Sequence, residues 1–219
     1  MLPLGDADTG QRRVPLVNFA LIAVNVFVFL VELNQPDPQA YITRWGAIPD
    51  HIGAGQDLVT LVTSMFLHAG WLHLLGNMLF LFIFGDNVED AFGHTRYLVF
   101  YLTCGIAAGL AQVFGAPTSA APGIGASGAI AGVLGAYLVM FGRNRVRVLI
   151  VIFPAVLPAW LMIGIWFILQ LVNVLATTGQ TVQSGGVAYA AHVGGFISGM
   201  ILCLLFRPAR RPPPRWRRW

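Results

Sequence analysis

Lysine is absent from this sequence, and charged residues of any kind are scarce. Only 10% of the 219 residues are charged, 57% are hydrophobic, and the mean hydropathy is +0.72. This composition excludes a soluble globular domain, because such a domain does not need so much apolar surface. We therefore predict that lipid surrounds most of the chain.

Cysteine is also rare. Cys104 and Cys203 both fall inside apolar runs, which argues against a structural disulfide and for small packing residues. The N-terminus is not typical of a cleaved targeting peptide, since Asp6 and Asp8 precede the first apolar run and no small-residue cleavage site follows it.

Apolar runs divide the chain into six candidate membrane spans. We predict an all-α membrane protein, a bundle of six transmembrane helices, with short interfacial helices in the long first extracytoplasmic loop. The run from 148 to 176 exceeds one span, so Pro154 and Pro158 are expected to separate an interfacial approach from the fifth span. The six spans are residues 14–33, 71–84, 97–114, 127–141, 157–175 and 187–206.

The arginines predict the orientation of these spans. Twelve of the 13 basic residues fall in segments on one side of the membrane, and only Arg44 falls on the other. The positive-inside rule then places both termini in the cytoplasm, and topology explains the net charge of +4 better than a nucleic-acid partner does. We expect a cytoplasmic segment (1–13), one transmembrane domain (14–206) and a disordered basic tail (207–219). A bacterial plasma membrane fits best, and an organelle membrane remains open.

Polar side chains from three spans are predicted to meet at one depth. Spans two, four and six run from outside to inside, so residues early in each share a level in the outer third of the bilayer. Polar groups there are costly unless they pair or line a water-filled cavity. Glycines in spans four and six would let these helices approach closely. The polar residues are His73, Asn77, Ser127 and His192, and the glycines are 128, 132, 135, 194, 195 and 199.

This group of side chains favours nucleophilic catalysis. Ser127 opens an apolar run and so lies in the first turn of a helix, where unpaired N–H groups favour developing negative charge. An imidazole at His192 could take the hydroxyl proton and later protonate a leaving amine. Oxyanion donors would be the Ser127 N–H, the Asn77 amide and the His73 ring. Alone, a serine between glycines or a lone histidine is more often a packing residue.

The motifs, taken in order, resemble the rhomboid family of intramembrane serine proteases over about residues 14–206. The resemblance implies a rhomboid-like fold, with Ser127 as nucleophile, His192 as general base and acid without a carboxylate, and His73 and Asn77 in the oxyanion hole. It also implies cleavage of membrane-anchored substrates. Many members have an aromatic residue against the catalytic histidine where this chain has Ala131. The motifs are His73-x-x-x-Asn77, Glu89-Asp90-x-Phe92-Gly93-x-x-Arg96, Gly125-Ala126-Ser127-Gly128 and Ala191-His192-Val193-Gly194-Gly195.

Several alternatives stay open. His68 is either an interfacial histidine or a second donor near the site. Its spacing to His73 is typical of metal ligands, but no Cys or carboxylate is nearby, so we expect no metal and no cofactor. The competing functions are an inactive relative that binds transmembrane helices and a small transporter or channel that uses the polar cluster as a pathway. The expected partners are transmembrane protein substrates and the lipid bilayer, with no nucleic acid, and no oligomeric state follows from the sequence.

Overall fold

The structure, a computed structural model, describes residues 1–6, 13–177 and 188–206. The predicted tail and most of the loop before the last span lie outside these residues. Most of the described chain is helical, in agreement with the predicted class. The helices are α1 Leu16–Leu33, α2 Pro38–Trp45, α3 Pro49–Gly53, α4 Thr60–Thr63, α5 Trp71–Phe92, α6 His94–Gly115, α7 Ser127–Phe141, α8 Ala159–Thr177 and α9 Tyr189–Phe206, and the strands are β1 Leu2–Asp6, β2 Arg145–Ile150 and β3 Phe153–Pro158.

Six of these helices correspond to the six predicted spans. Five of them, α1, α5, α6, α8 and α9, are long and apolar enough to cross a membrane, and α7 is a shorter apolar helix of 15 residues. The bounds of α7 are those predicted. Helix α5 instead continues eight residues beyond the predicted end at 84, because the polar residues that suggested a stop find partners within the bundle.

Glu89 is the clearest of these polar residues in α5. Its carboxylate accepts hydrogen bonds from the backbone N–H groups of Val17 and Asn18, at 2.9 and 2.7 Å, and lies 2.5 Å from Nδ1 of His94. A carboxylate at the first turn of α1 satisfies N–H groups that a helix leaves unpaired. Glu89 therefore joins the starts of α1 and α6 to the end of α5.

Helix α7 is the central helix of the bundle. Every residue from Gly128 to Tyr137 is buried, which requires helices on all sides, and α7 contacts α5, α6, α8 and α9. Its small residues, such as Gly128, Gly132 and Gly135, allow neighbouring helices to approach closely.

Glycines bring α7 and α9 into backbone contact, which confirms the predicted close packing. A β-carbon on Gly195 would overlap the carbonyl oxygen of Gly128, and one on Gly199 would overlap that of Gly132. The same glycine spacing on both helices aligns the start of α7 with the first turns of α9. Ser127 and His192, which lie in the first turns of α7 and α9, are thereby held at the same end of the bundle.

The first loop holds the short helices α2, α3 and α4 and supports the segment that precedes α7. That these helices lie in the membrane interface stays a prediction. The backbone groups of Ala47 and Gly123 exchange hydrogen bonds of 2.9 and 2.8 Å. The N–H of Gly125 donates to the carbonyl oxygen of Ser64 at 2.9 Å. These bonds fix the backbone immediately before Ser127.

A three-stranded antiparallel sheet, in the order β1-β2-β3, lies at the other end of α7. The sequence did not predict it; an interfacial approach was expected where β2 and β3 form a hairpin. The alternation in β2 accounts for the hairpin, because Val146 and Val148 are fully buried while Arg145 and Arg147 are exposed. The two prolines lie in β3, an edge strand, where proline is tolerated.

Asp6 of strand β1 attaches the sheet to the bundle. Its Oδ2 accepts hydrogen bonds from the Tyr137 hydroxyl at 2.6 Å and from the Asn87 amide at 2.7 Å. Burial raises the pKa of Asp6 to about 6, and the charge of Asp86 adds to this against the opposing effect of the hydrogen bonds. The sheet is thus joined to α5 and α7 through one partly buried carboxyl group.

Candidate active site

Ser127 is the first residue of α7, where the backbone leaves an irregular loop. Gly125, two residues earlier, has φ of +114°, a region that glycine adopts far more readily than other residues. The first turn of α7 leaves N–H groups of Ser127 and its successors without helical partners. A hydroxyl and unpaired N–H donors therefore stand together at the helix start.

His192 lies in the first turn of α9, three residues after Tyr189, where the helix starts. The Nε2 atom of the ring is 2.7 Å from Oγ of Ser127. Gln112 of α6 supports this turn, because its side-chain oxygen accepts a hydrogen bond of 3.3 Å from the N–H of Ala191. The structure thus brings together the two side chains that the sequence assigned to a nucleophile and its base.

The side of the imidazole away from Ser127 contacts α8. Nδ1 of His192 is 2.8 Å from the side-chain oxygen of Gln170, and the Trp166 ring lies 5.9 Å away at 38°. Ala131, one helical turn after Ser127, is fully buried. Sequence reasoning missed both α8 residues, although an amide such as Gln170 within an apolar span is a signal that could have found them.

His73 and Asn77 of α5 face the loop that precedes Ser127. A β-carbon on Gly125 would lie 2.8 Å from Cε1 and Nε2 of His73 and 3.6 Å from Nδ2 of Asn77. Nδ1 of His73 accepts a hydrogen bond of 3.4 Å from the N–H of Ala69, so in the neutral ring Nε2 carries the proton. The His73 donor therefore points towards the segment that carries the serine.

The Asn77 amide is a buried polar group without a hydrogen-bond acceptor in the part of the chain that the structure describes. Asn77 is 8% exposed, and its Nδ2 has no hydrogen-bond acceptor among the described residues. A buried donor without an acceptor costs free energy and is rare in folded proteins. Such a donor beside a nucleophile is what stabilisation of an oxyanion requires.

His68 lies behind His73 and is fully buried. Its ring contacts that of His73 edge to face, with centroids 5.1 Å apart, and its backbone N–H donates to the Glu32 carboxylate at 3.2 Å. Burial lowers the pKa of His68 to about 4, and the His73 ring adds to this. His68 is thus a neutral residue that packs against His73 and does not lie exposed at an interface.

A cavity of about 50 Å³ adjoins Ser127 and is lined mainly by small residues, with Ser64 and Gln112 as polar groups. This volume accommodates a few water molecules, since one water needs about 10 to 15 Å³. Within the ranges that the structure describes, no three His, Cys, Asp or Glu side chains are grouped to hold a metal ion. The arrangement is suited to acyl transfer by a serine, with room for water beside it.

Comparison with known proteins gives the same family. A model of the Rhomboid domain matches residues 55–209, which include all five candidate site residues. The chain is 29% identical to Rhomboid protease GluP of Bacillus subtilis over 89% of this chain and 35% of that one, and 29% identical to mitochondrial Rhomboid protein 1 of Saccharomyces cerevisiae over 84% and 51%. The chain is 39% identical to Putative rhomboid protease YdcA of B. subtilis, over 61% of this chain and 66% of that one.

The chain spans about a third to a half of the length of the first two of these relatives. The family match nevertheless covers most of the chain, from the first loop to the end of α9. Helices α1, α5, α6, α8 and α9 are of membrane-spanning length, and α7 is surrounded by its neighbours. The structure is an integral membrane bundle whose central helix starts at a serine bonded to a histidine. Together with the domain match, this shows that the chain belongs to the rhomboid family.

Proposed function

We propose that this protein is an intramembrane serine endopeptidase that cleaves membrane-anchored proteins through a dyad of Ser127 and His192. The observation that carries the proposal is the 2.7 Å hydrogen bond between Oγ of Ser127 and Nε2 of His192. A serine hydroxyl becomes an effective nucleophile when a neutral imidazole accepts its proton. Relatives named as rhomboid proteases support the same activity.

The first half of the reaction is acylation. Oγ of Ser127 attacks the carbonyl carbon of the scissile peptide bond, and its proton passes to Nε2 of His192. The resulting oxyanion receives hydrogen bonds from the Ser127 N–H, the Asn77 amide and Nε2–H of His73. When the C–N bond breaks, His192 gives its proton to the leaving amine, and the other product remains as an ester on Ser127.

Deacylation uses water and the same histidine. His192 takes a proton from a water molecule, whose oxygen attacks the ester carbonyl. The proton then returns to Oγ of Ser127 as the ester bond breaks, which releases the new carboxyl group. The cavity beside Ser127 supports this step, because a protein interior otherwise excludes the water that hydrolysis consumes.

The position of the site supports the proposed substrate class. Ser127 and His192 lie at the start of helices within an integral membrane bundle, so a substrate must present its peptide bond near one membrane face. A transmembrane helix hides its carbonyl groups in helical hydrogen bonds and must unwind before attack. Substrates with glycine, proline or small residues near the cut unwind more easily.

The orientation that we propose has both termini in the cytoplasm and the active site open to the extracytoplasmic side of a bacterial plasma membrane. The support is the arginine distribution: Arg143, Arg145 and Arg147 follow the end of α7 that is remote from Ser127. Residues 14–206 are then the protease domain. A C-terminal reporter fusion active only in the cytoplasm tests this orientation.

A labelling experiment tests the activity. Purified protein in liposomes is treated with a fluorophosphonate probe and, separately, with a transmembrane reporter substrate. We expect wild type to be labelled and to cleave, and Ser127→Ala and His192→Ala to do neither. Ser119→Ala and His51→Ala are matched controls, because the side chains of these two residues bond to Ala121 and Asp57 and not to the dyad. Cleavage that survives Ser127→Ala would exclude the mechanism, and an unlabelled wild type would favour a relative that only binds helices.

A further inference from the structure

Gln170 holds the side of the His192 ring that faces away from the serine. Its side-chain oxygen is 2.8 Å from Nδ1, and its amide nitrogen donates to the carbonyl oxygen of Trp166 at 3.4 Å. The second contact determines how the amide is oriented. A reversed amide would set its oxygen against the Trp166 carbonyl oxygen, and two acceptors repel each other.

The oriented amide determines which nitrogen of His192 carries the proton. A neutral imidazole has one N–H donor and one acceptor nitrogen. Because the Gln170 oxygen only accepts, Nδ1 must be the donor, and Nε2 is left with a lone pair towards Oγ of Ser127, 2.7 Å away. The opposite tautomer would direct a lone pair at the Gln170 oxygen and leave Nε2 unable to accept the serine proton.

Two aromatic contacts hold Gln170 in place. Trp166, one helical turn earlier, lies 6.2 Å from Phe196 of α9, and Phe167 stacks on Phe196 at 4.4 Å. Beyond these rings the outward side of α8 is largely exposed, as at Ile168 and Val172. The position of Gln170 therefore depends on the packing of Trp166 and Phe167 against one phenylalanine of α9.

We propose that Gln170 is a positioning residue that fixes the tautomer and the ring orientation of His192 for proton transfer from Ser127. It takes the place that a carboxylate occupies in a serine triad, but without a charge, so it orients the base and stabilises a cationic ring less than a carboxylate does. The expected effect on kcat rests on the proposed protease activity. The assignment of the tautomer rests on geometry alone.

The kinetic test uses three variants in liposomes. Gln170→Leu keeps the side-chain volume and removes the acceptor, and we expect kcat to fall about 10- to 100-fold with KM unchanged, which is part of the contribution of a general base. Gln170→Glu restores an acceptor and much of kcat. The acid limb of its pH–rate profile moves to higher pH, because a carboxylate favours the protonated ring. Asn173→Leu is the matched control, since this amide of α8 bonds to Leu169, and it keeps wild-type kcat.

A spectroscopic test does not depend on activity. Protein labelled with ¹⁵N-histidine reports the tautomer of each ring by NMR, and His192→Ala identifies the signal of His192. We expect a protonated Nδ1 in wild type and a mixture of tautomers in Gln170→Leu. Unfolding temperatures show whether each variant is folded.

The outcomes separate this proposal from the proposed function. If wild type cleaves its substrate while Gln170→Leu retains both wild-type kcat and a protonated Nδ1, the positioning role is wrong and the protease activity stands. If wild type neither cleaves nor reacts with the probe, the proposed function is wrong, and the tautomer of His192 in the two proteins still decides whether Gln170 sets it.

Discussion

Gly199 of α9 lies directly against the carbonyl oxygen of Gly132 in α7, so closely that a β-carbon at position 199 would overlap it. The neighbouring pair, Gly195 and Gly128, repeats this contact one turn closer to Ser127. The spacing between α7 and α9 is therefore determined by glycine backbone atoms. The distance between Ser127 and His192, one at the start of each helix, depends on that spacing.

Gly199→Ala is expected to separate α7 from α9. The added methyl group meets backbone atoms that cannot rotate away, so we expect a loss of about 1 to 3 kcal/mol in the free energy of unfolding. Proteolysis should fall sharply, because the serine and histidine move apart. Gly164→Ala in α8 is the control, since a β-carbon there has nothing within 4 Å, and it should be as stable as wild type and fully active. Thermal unfolding and reporter cleavage measure both, and equal behaviour of the two variants would contradict the role of the glycine contact.

Gly125→Ala is expected to disable the site by two effects. The backbone there has φ of +114°, and the new methyl group would lie 2.8 Å from the His73 ring. Gly55→Ala separates the effects, because Gly55 also has positive φ, +76°, but has open space around it. Both variants should lose stability, by about 1 to 3 kcal/mol.

Only the Gly125→Ala variant should lose proteolysis and probe labelling. Activity measured on the folded fraction of each protein makes this comparison. If both variants lose activity in proportion to stability, the His73 contact has no part in the site.

Asn77→Leu should reduce activity without reducing stability. The unpaired buried amide contributes a desolvation cost to the folded protein, so its replacement is expected to be neutral or stabilising. Loss of one oxyanion donor lowers kcat by about 10²- to 10³-fold.

Asn25→Leu is the control, because Asn25 is also buried but lies in α1, where its amide bonds to the Leu21 carbonyl oxygen; it should keep wild-type kcat. Substrate turnover and thermal unfolding are measured for both. Unchanged kcat in Asn77→Leu would remove Asn77 from the oxyanion hole.

Asp6→Asn should stabilise the protein at neutral pH and not in acid. The pKa of Asp6 is raised from 3.8 to about 6 by burial, so its neutral form is favoured in the folded state. Its contribution to stability is then full below about pH 4 and is lost as pH rises through 6. Asparagine is neutral at every pH and can still accept the Tyr137 hydrogen bond.

We therefore expect a higher unfolding temperature for Asp6→Asn than for wild type at pH 7.5, and similar temperatures at pH 4.5. Unfolding of detergent-solubilised protein, followed by fluorescence at both values, makes the comparison. An equal difference at the two pH values would show that ionisation of Asp6 is not the cause. Asp50→Asn, an exposed carboxyl group in α3, is the control.

The spans and the start of α7 were predictable because they depend on local composition. A long apolar run in lipid becomes a helix since every backbone group must find a partner within the segment. Glycine at helical spacing likewise predicted the contact of α7 with α9. The sheet was not predictable in this way: β2 contains only six residues, and its partner β1 lies more than 130 residues earlier in the chain.

The candidate site was predictable in part. The predicted depth of each residue in the membrane placed Ser127, His192, His73 and Asn77 in one group. Their catalytic roles stay predictions. Gln170 was missed because it lies in a span that runs in the opposite direction, near the end of that span. Nothing in the local pattern shows which helix face it occupies or which ring it meets.

Hydrophobicity and chain length predicted the lipid environment, the spanning helices and the family, because they act along one axis, the membrane normal. Which side chains touch follows from the packing of the helices: Nε2 of His192 meets Ser127, Nδ1 meets Gln170, and His68 is buried behind His73. The rotation and lateral position of each helix result from the packing of all its neighbours, and no short stretch of sequence contains that information.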